Sequence, residues 1–152
     1  MPITIDDKQL TAGLAEMVRR IYEGAEQGLS NIAPVIENAM QTDPAHGDMS
    51  GAAHASSVVA GVGGQQNTQG ELDFAYAVAA DRLNGFTGHQ GRAERVDAPT
   101  VAPTERGLVL ARPVDYAADL EQSPKAVIGP VLQQYATAAT QSAADGIRDR
   151  LR

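Results

Sequence analysis

The sequence predicts an α+β protein, a single domain over residues 1–152, with long helices at both ends of the chain and short strands between them. Three observations lead there. Leu10, Leu14, Met17, Val18, Ile21, Ala25, Leu29, Ile32, Ile36 and Met40 recur at three- and four-residue steps, the spacing of one apolar helical stripe. Val131, Tyr135, Ala139, Ala143, Ile147 and Leu151 repeat that spacing near the other end. Between them, VVAGV (58–62) and GLVLARPVDYAADLE (107–121) carry the β-forming residues.

The elements follow in chain order. Asp6 or Asp7 can cap the first helix, whose apolar steps run to about Met40. Pro34 must kink it or divide it, because proline removes a backbone donor and clashes with the preceding turn; Ser30 offers a cap for a restarted segment. TDPAHGDMSG (42–51) stacks Pro, two Gly and short polar residues, which end the helix and reverse the chain. Ser50 is placed to cap a short helix to about Ser56, VVAGV reads as a buried strand, and GGQQNTQG (63–70) reads as a polar loop. Residues 71–83 fit a helix through Leu72, Tyr76, Ala79 and Leu83, or a strand through DFAYAV; helix is the preferred reading.

Residues 85–107 hold four Gly, with Pro99 and Pro103, and read as a long extended loop or arm. In 107–121, Leu108 and Leu110 alternate with Val109 and Ala111, and Pro113 marks a bend or an edge. Beyond it Tyr116, Ala118 and Leu120 oppose Asp119 and Glu121 on a continuing strand. Ser123-Pro124 and Gly129-Pro130 are successive helix-start signals, so the last helix is expected from Pro130 to about Leu151, with Arg148, Arg150 and Arg152 suiting its dipole.

Composition bounds the function. The apolar content is dominated by small residues, with no Trp, two Phe and four Tyr, so a monomer buries little area per element and gains from neighbours. Nineteen acidic against twelve basic residues leave a net charge of −7, which argues against a grip on phosphates. With no Cys there is neither a disulfide framework nor a thiolate metal site. MPITIDDKQL lacks the basic start and apolar run of a signal peptide, and no run suffices to span a bilayer. The expectation is a protein kept in the cytosol unless it leaves inside a larger particle, with no membrane partner.

Motifs for chemistry fail one by one. AGVGGQQ (60–66) has Gly61 and Gly63 but Gln66 where a dinucleotide loop needs its third glycine, and no Lys-Ser or Lys-Thr pair marks a phosphate loop. Ser50 in GDMSG has Asp48, not glycine, two residues before it, so the resemblance to a nucleophile elbow ends there; a polar turn explains Ser50, Asp48 and His54 more simply than a hydrolytic triad. His46, Asp48 and His54 lack ligand spacing, and His89 is distant. Asp119 and Glu121 on one strand face suit solvent or a subunit contact better than an acid–base pair. No catalytic residue, cofactor-binding residue, metal ligand or cofactor is therefore expected.

The order of elements, with SGAAHASSVV (50–59), RPVDYAADLE (112–121) and IGPVLQQYATAATQSAADGIRDRL (128–151), resembles the neck or tail-completion proteins at the head-to-tail junction of long-tailed bacteriophages. Ser50-Gly51 matches that family's small-residue turn, Tyr116, Ala117, Leu120 and Glu121 its "Tyr-Ala…Leu-Glu" strand, and Pro130 the start of its last helix. Ala52 departs from the family's arginine or leucine after the turn, and 71–83 has no counterpart. The resemblance implies long helices packed on a small, mostly antiparallel sheet. It also implies assembly into a homo-oligomeric ring, commonly a hexamer, in the virion, between head-connector and tail proteins. DNA would pass through without specific binding, which the acidic balance suits.

Within that reading the arm is where subunits grip one another, because Phe86, Val96 and Val101 are poor choices for a permanently solvated loop and Pro99 and Pro103 reduce the entropy lost on ordering. The candidate oligomer interface is Phe86, Arg92, Arg95, Val96 and Val101, with Tyr116, Asp119 and Glu121. The alternatives are a non-viral acidic helical module that docks in a partner's groove, and a small hydrolase needing Ser50, His54 or His89 to converge.

Overall fold

The computed structural model describes residues 6–42, 51–62, 68–84, 95–101, 106–123 and 126–152. The chain runs α1 (Asp7–Thr42), α2 (Ala52–Ser56), β1 (Val58–Val62), α3 (Thr68–Leu83), β2 (Gly107–Ala111), α4 (Ala117–Glu121) and α5 (Ile128–Leu151). It is an α+β fold in which the two long terminal helices pack on a two-stranded antiparallel sheet.

β1 and β2 pair with Val58 opposite Ala111 and Val62 opposite Gly107. Successive side chains on a strand point to opposite faces, and here both faces are covered. On one side Val58, Ala60 and Ala111 pack with Leu72, Ala75, Tyr76 and Ala79 of α3. On the other, Val59, Leu108 and Leu110 meet Ile36 and Met40 of α1 and Val127 and Val131 at the start of α5. The result is three layers with the sheet in the middle, which explains why VVAGV is apolar without a break. A third cluster joins Ala52 and Ala53 of α2 to Leu83, Val114 and Ala117.

α1 is one helix of 36 residues, about 54 Å long at 1.5 Å per residue. Asp6 is its cap, accepting from the backbone N–H of Lys8 at 3.0 Å and of Gln9 at 3.4 Å. Pro34 does not divide it, and Ser30 stands within the helix rather than at a restart. Burial of Ile36 and Met40 beyond the proline offsets the one missing backbone bond.

α5 runs antiparallel to α1, and the two touch backbone to backbone. A Cβ on Gly24 would stand 2.6 Å from the Gly146 carbonyl oxygen and from Ile147 Cα; one on Gly28 would collide with the Ser142 carbonyl, and one on Gly146 with that of Gly24. Ser142 Oγ donates to the Gly28 carbonyl at 2.6 Å across the same seam. Glycine is used here for approach, not for turn geometry.

Several sequence expectations are corrected. The β segment stops at Ala111, and residues 117–121 form helix α4, because the Ala117 and Leu120 N–H groups donate to the Val114 and Tyr116 carbonyls instead of to a neighbouring strand. Ser123 closes α4, its hydroxyl donating to the Leu120 carbonyl at 2.7 Å, and does not start a helix. α5 begins at Ile128, two residues before Pro130, because the Glu121 carboxylate accepts from the N–H groups of Val127 at 3.0 Å and Ile128 at 3.1 Å. The cap residue of α2 is Gly51, at φ +74°, with no side-chain cap bond. Residues 71–83 are helical, within α3.

The seam predicts opposite outcomes for two glycines of one helix. Gly28→Ala should destabilise the fold by about 1–3 kcal/mol, since neither backbone can yield without moving a whole helix. Gly13→Ala, with nothing within 4 Å, should stabilise it by about 0.5–1 kcal/mol through helix propensity. Thermal melts of the two variants check this, a rise for Gly13→Ala and a fall for Gly28→Ala.

Candidate functional site

Two polar networks hold the centre of the fold, and they meet at Ser57. Glu37 of α1 accepts from Arg82 Nη2 of α3 at 2.8 Å and from the Val59 N–H of β1 at 3.0 Å. Arg82 Nη1 and Gln41 Nε2 both donate to the Ser57 carbonyl, at 2.8 and 3.1 Å. On the other side of the residue, the buried Arg112 donates from Nε to Ser57 Oγ at 3.0 Å, and its Nη1 lies 3.8 Å from the Glu121 carboxylate. These groups tie helices to the sheet. The hollow beside β1, lined in part by Glu37, Glu71, Phe74 and Arg82, presents Glu37 and Arg82 already paired in structure, and no Ser, Thr, Cys, His or Lys stands among its lining residues.

The sequence-predicted interface residues scatter. Phe86 and Arg92 lie outside the described residues, as do Asp48, Ser50 and His89. Arg95 bridges to Val114, and the Val96 N–H donates to the Pro113 carbonyl at 3.2 Å. The following stretch of the arm rests on α3. Gln69 Nε2 donates to the Pro99 carbonyl at 3.1 Å, its Oε1 accepts from the Val101 N–H at 3.0 Å, and Ala98 and Val101 pack against the cluster around Leu72. Tyr116 packs beside Val114 and Ala117, Asp119 is exposed, and Glu121 serves as the cap of α5. His54 sits in α2, and among the described residues no three His, Asp or Glu gather as metal ligands. No described helix is long and apolar enough to cross a membrane.

Among the described residues, large apolar side chains also stand exposed on α1. Leu10, Leu14, Met17, Val18 and Tyr22 of α1 are each about half exposed. At 100° per residue, Leu10, Leu14, Met17 and Ile21 share the line that carries Gly24 and Gly28, so the stripe extends the α5 seam. α5 ends beside it, with Arg150 at 3.9 Å from Glu23. Glu16, Arg19, Arg20 and Glu23 pair with one another on the flank and back of the helix, and the Arg106 guanidinium lies 4.3 Å from the centre of the Tyr22 ring. Glu16 is held at about 2, well below the ordinary 4.5, chiefly by its hydrogen bond with Arg19 and then by that with Arg20.

The second apolar feature is a half-open groove of about 210 Å³, walled by Leu29 and Ile36 of α1, Leu108 and Leu110 of β2, and Leu132 and Tyr135 of α5. Small-molecule pockets are usually about 300–1,000 Å³ with a few convergent polar groups, whereas this wall is aliphatic and aromatic. The sequence hid the groove because its residues belong to two helix stripes and a strand that each read as core. No protein-family model, curated protein or solved structure matches the chain.

Two outcomes are expected of the charged groups. Glu121→Ala removes the cap of α5 and the carboxylate beside buried Arg112, and should cost about 2–4 kcal/mol in denaturant unfolding, while exposed Asp119→Ala should change stability by less than about 0.5 kcal/mol. Because its folded pKa is lowered, the stabilisation from Glu16 is present above pH 4.5 and is lost as pH falls towards 2. A carboxyl titration followed by NMR should find Glu16 well below the ordinary glutamate value, and Arg19→Ala should move it back up.

Proposed function

We propose that this protein is a non-enzymatic structural subunit of a tailed-bacteriophage particle: a neck or tail-completion component that assembles with copies of itself into a ring between head-connector and tail proteins. The single observation that carries a structural role is the uncovered apolar stripe on the first half of α1. A run of large apolar side chains on one helix face marks a surface that works when covered. Two further features agree with it. The fold has the two long terminal helices on a small antiparallel sheet that the sequence resemblance implies. The net charge of −7 suits a conduit that DNA traverses without adhering.

Native mass spectrometry and negative-stain images of the purified chain test this reading. The expected result is a closed ring of several copies, six being the count the resemblance implies, with no DNA retained at moderate salt. A chain that stays monomeric at high concentration, or that recovers a one-to-one complex with an unrelated protein, would replace the ring with an acidic docking module.

A further inference from the structure

We infer that the outer edge of β1 is a docking site for an extended, basic peptide segment of a partner protein. This surface is separate from the α1 stripe, and the inference does not rest on the ring. Hydrogen bonds divide the edge into a closed half and an open one. Val59 donates its N–H to Glu37, away from β2, so the Val59–Leu110 pair exchanges no backbone bonds. Bonded and non-bonded pairs alternate along an antiparallel ladder, which puts the N–H and C=O of Gly61 on the same outward edge. Over the first half of that edge, side chains stand in for a third strand: Gln41 and Arg82 donate to the Ser57 carbonyl, and Glu37 accepts from Val59. Beyond them, among the described residues, no further strand pairs with β1 and no hydrogen bond reaches the outward groups of Gly61. An unpaired strand edge is a template for another extended backbone.

The hollow beside this edge, about 320 Å³, states the chemistry of the occupant. Its wall is one face of α3, where Glu71, Phe74, Ala75, Val78 and Arg82 recur at three- and four-residue steps. Arg82 is bonded at the Ser57 end of β1, so Glu71 lies towards the Gly61 end. Arg82 also neutralises Glu37 at 2.8 Å, whereas Glu71 has no cationic partner among the described residues. The open end of the hollow therefore carries an unmatched negative charge, and the net charge of −7 draws a cationic segment to it. Phe74, 68% exposed, offers its ring one turn further along. A peptide paired with Gly61 presents alternate side chains to α3, so a lysine or arginine meets Glu71 while an apolar residue two positions away covers Phe74.

The experiment titrates the full chain with acetyl-Thr-Lys-Thr-Val-Thr-Lys-Thr-amide, whose lysines flank the valine on both sides and so suit either strand direction. At saturating peptide the Gly61 amide should move downfield and exchange with solvent at least about fivefold more slowly, while the Val59 amide, already bonded to Glu37, stays as it is. Glu71→Lys and Phe74→Ala should each weaken binding at least about fivefold with an unchanged melt, because both side chains are exposed. Asp119→Lys makes the same change of charge on α4, away from the hollow, and should alter affinity by less than about twofold. The same peptide N-methylated throughout keeps its charge but loses its backbone donors, and should not bind. No binding at millimolar peptide, undiminished binding of the N-methylated form, equal losses in Glu71→Lys and Asp119→Lys, or a Gly61 amide that does not respond would each overturn the inference. Protection of Gly61 that grows with protein concentration in the absence of peptide would overturn it too, by assigning the edge to a second copy.

Discussion

Everything in this fold is arranged around the contact between the Gly24 and Gly28 backbone of α1 and the Ser142 and Gly146 backbone of α5. Helices meeting through glycine come closer than the usual 8–10 Å, and the interaction is dispersion over bare backbone, with one hydroxyl reaching across. The closeness has a consequence at each end of the seam. Towards Thr42 the helices are held beside each other over β2, and large side chains from both line a shared groove. Towards Asp7, α5 finishes near Glu23, and α1 continues past it with its stripe uncovered. One contact therefore sets both the depth of the groove and the reach of the free helix.

The layers beneath are built from small residues, and that shapes where the stability lies. Ala52, Ala53, Ala60, Ala75, Ala79, Ala111 and Ala117 are all buried, and each removes little area from water. Polar ties supply part of the specificity in their place. Ser57 alone receives α1 through Gln41, α3 through Arg82 and the turn after β2 through Arg112. Removing one partner of such a junction leaves the others desolvated without a match, so the network fixes the register of the helices on the sheet more firmly than its count of bonds suggests.

The long helices and β1 are legible in the sequence because their periods are long or their apolar runs unbroken. The cap of α5 is not. Ser123-Pro124 and Gly129-Pro130 are sound local signals, yet the side chain that starts the helix, Glu121, belongs to α4 and reaches its amides through the fold. The same holds for 117–121, where alternation of Tyr116, Ala118 and Leu120 suggests a strand; only the buried Val114 and Ala117 beside Leu83 favour a turn of helix. Pro34 misleads in the other direction, since its local cost is outweighed by packing at Ile36 and Met40. At the candidate site the stripe is visible in the sequence as apolar spacing, but spacing alone cannot separate the half that α5 covers from the half it leaves open.

That division explains why an apolar surface is tolerated on so acidic a chain. Beside the stripe, Glu16, Arg19, Arg20 and Glu23 are paired at three- and four-residue spacing, which supports the exposed turns of the helix. The net charge of −7 acts against indiscriminate collapse, since any two copies carry like net charge.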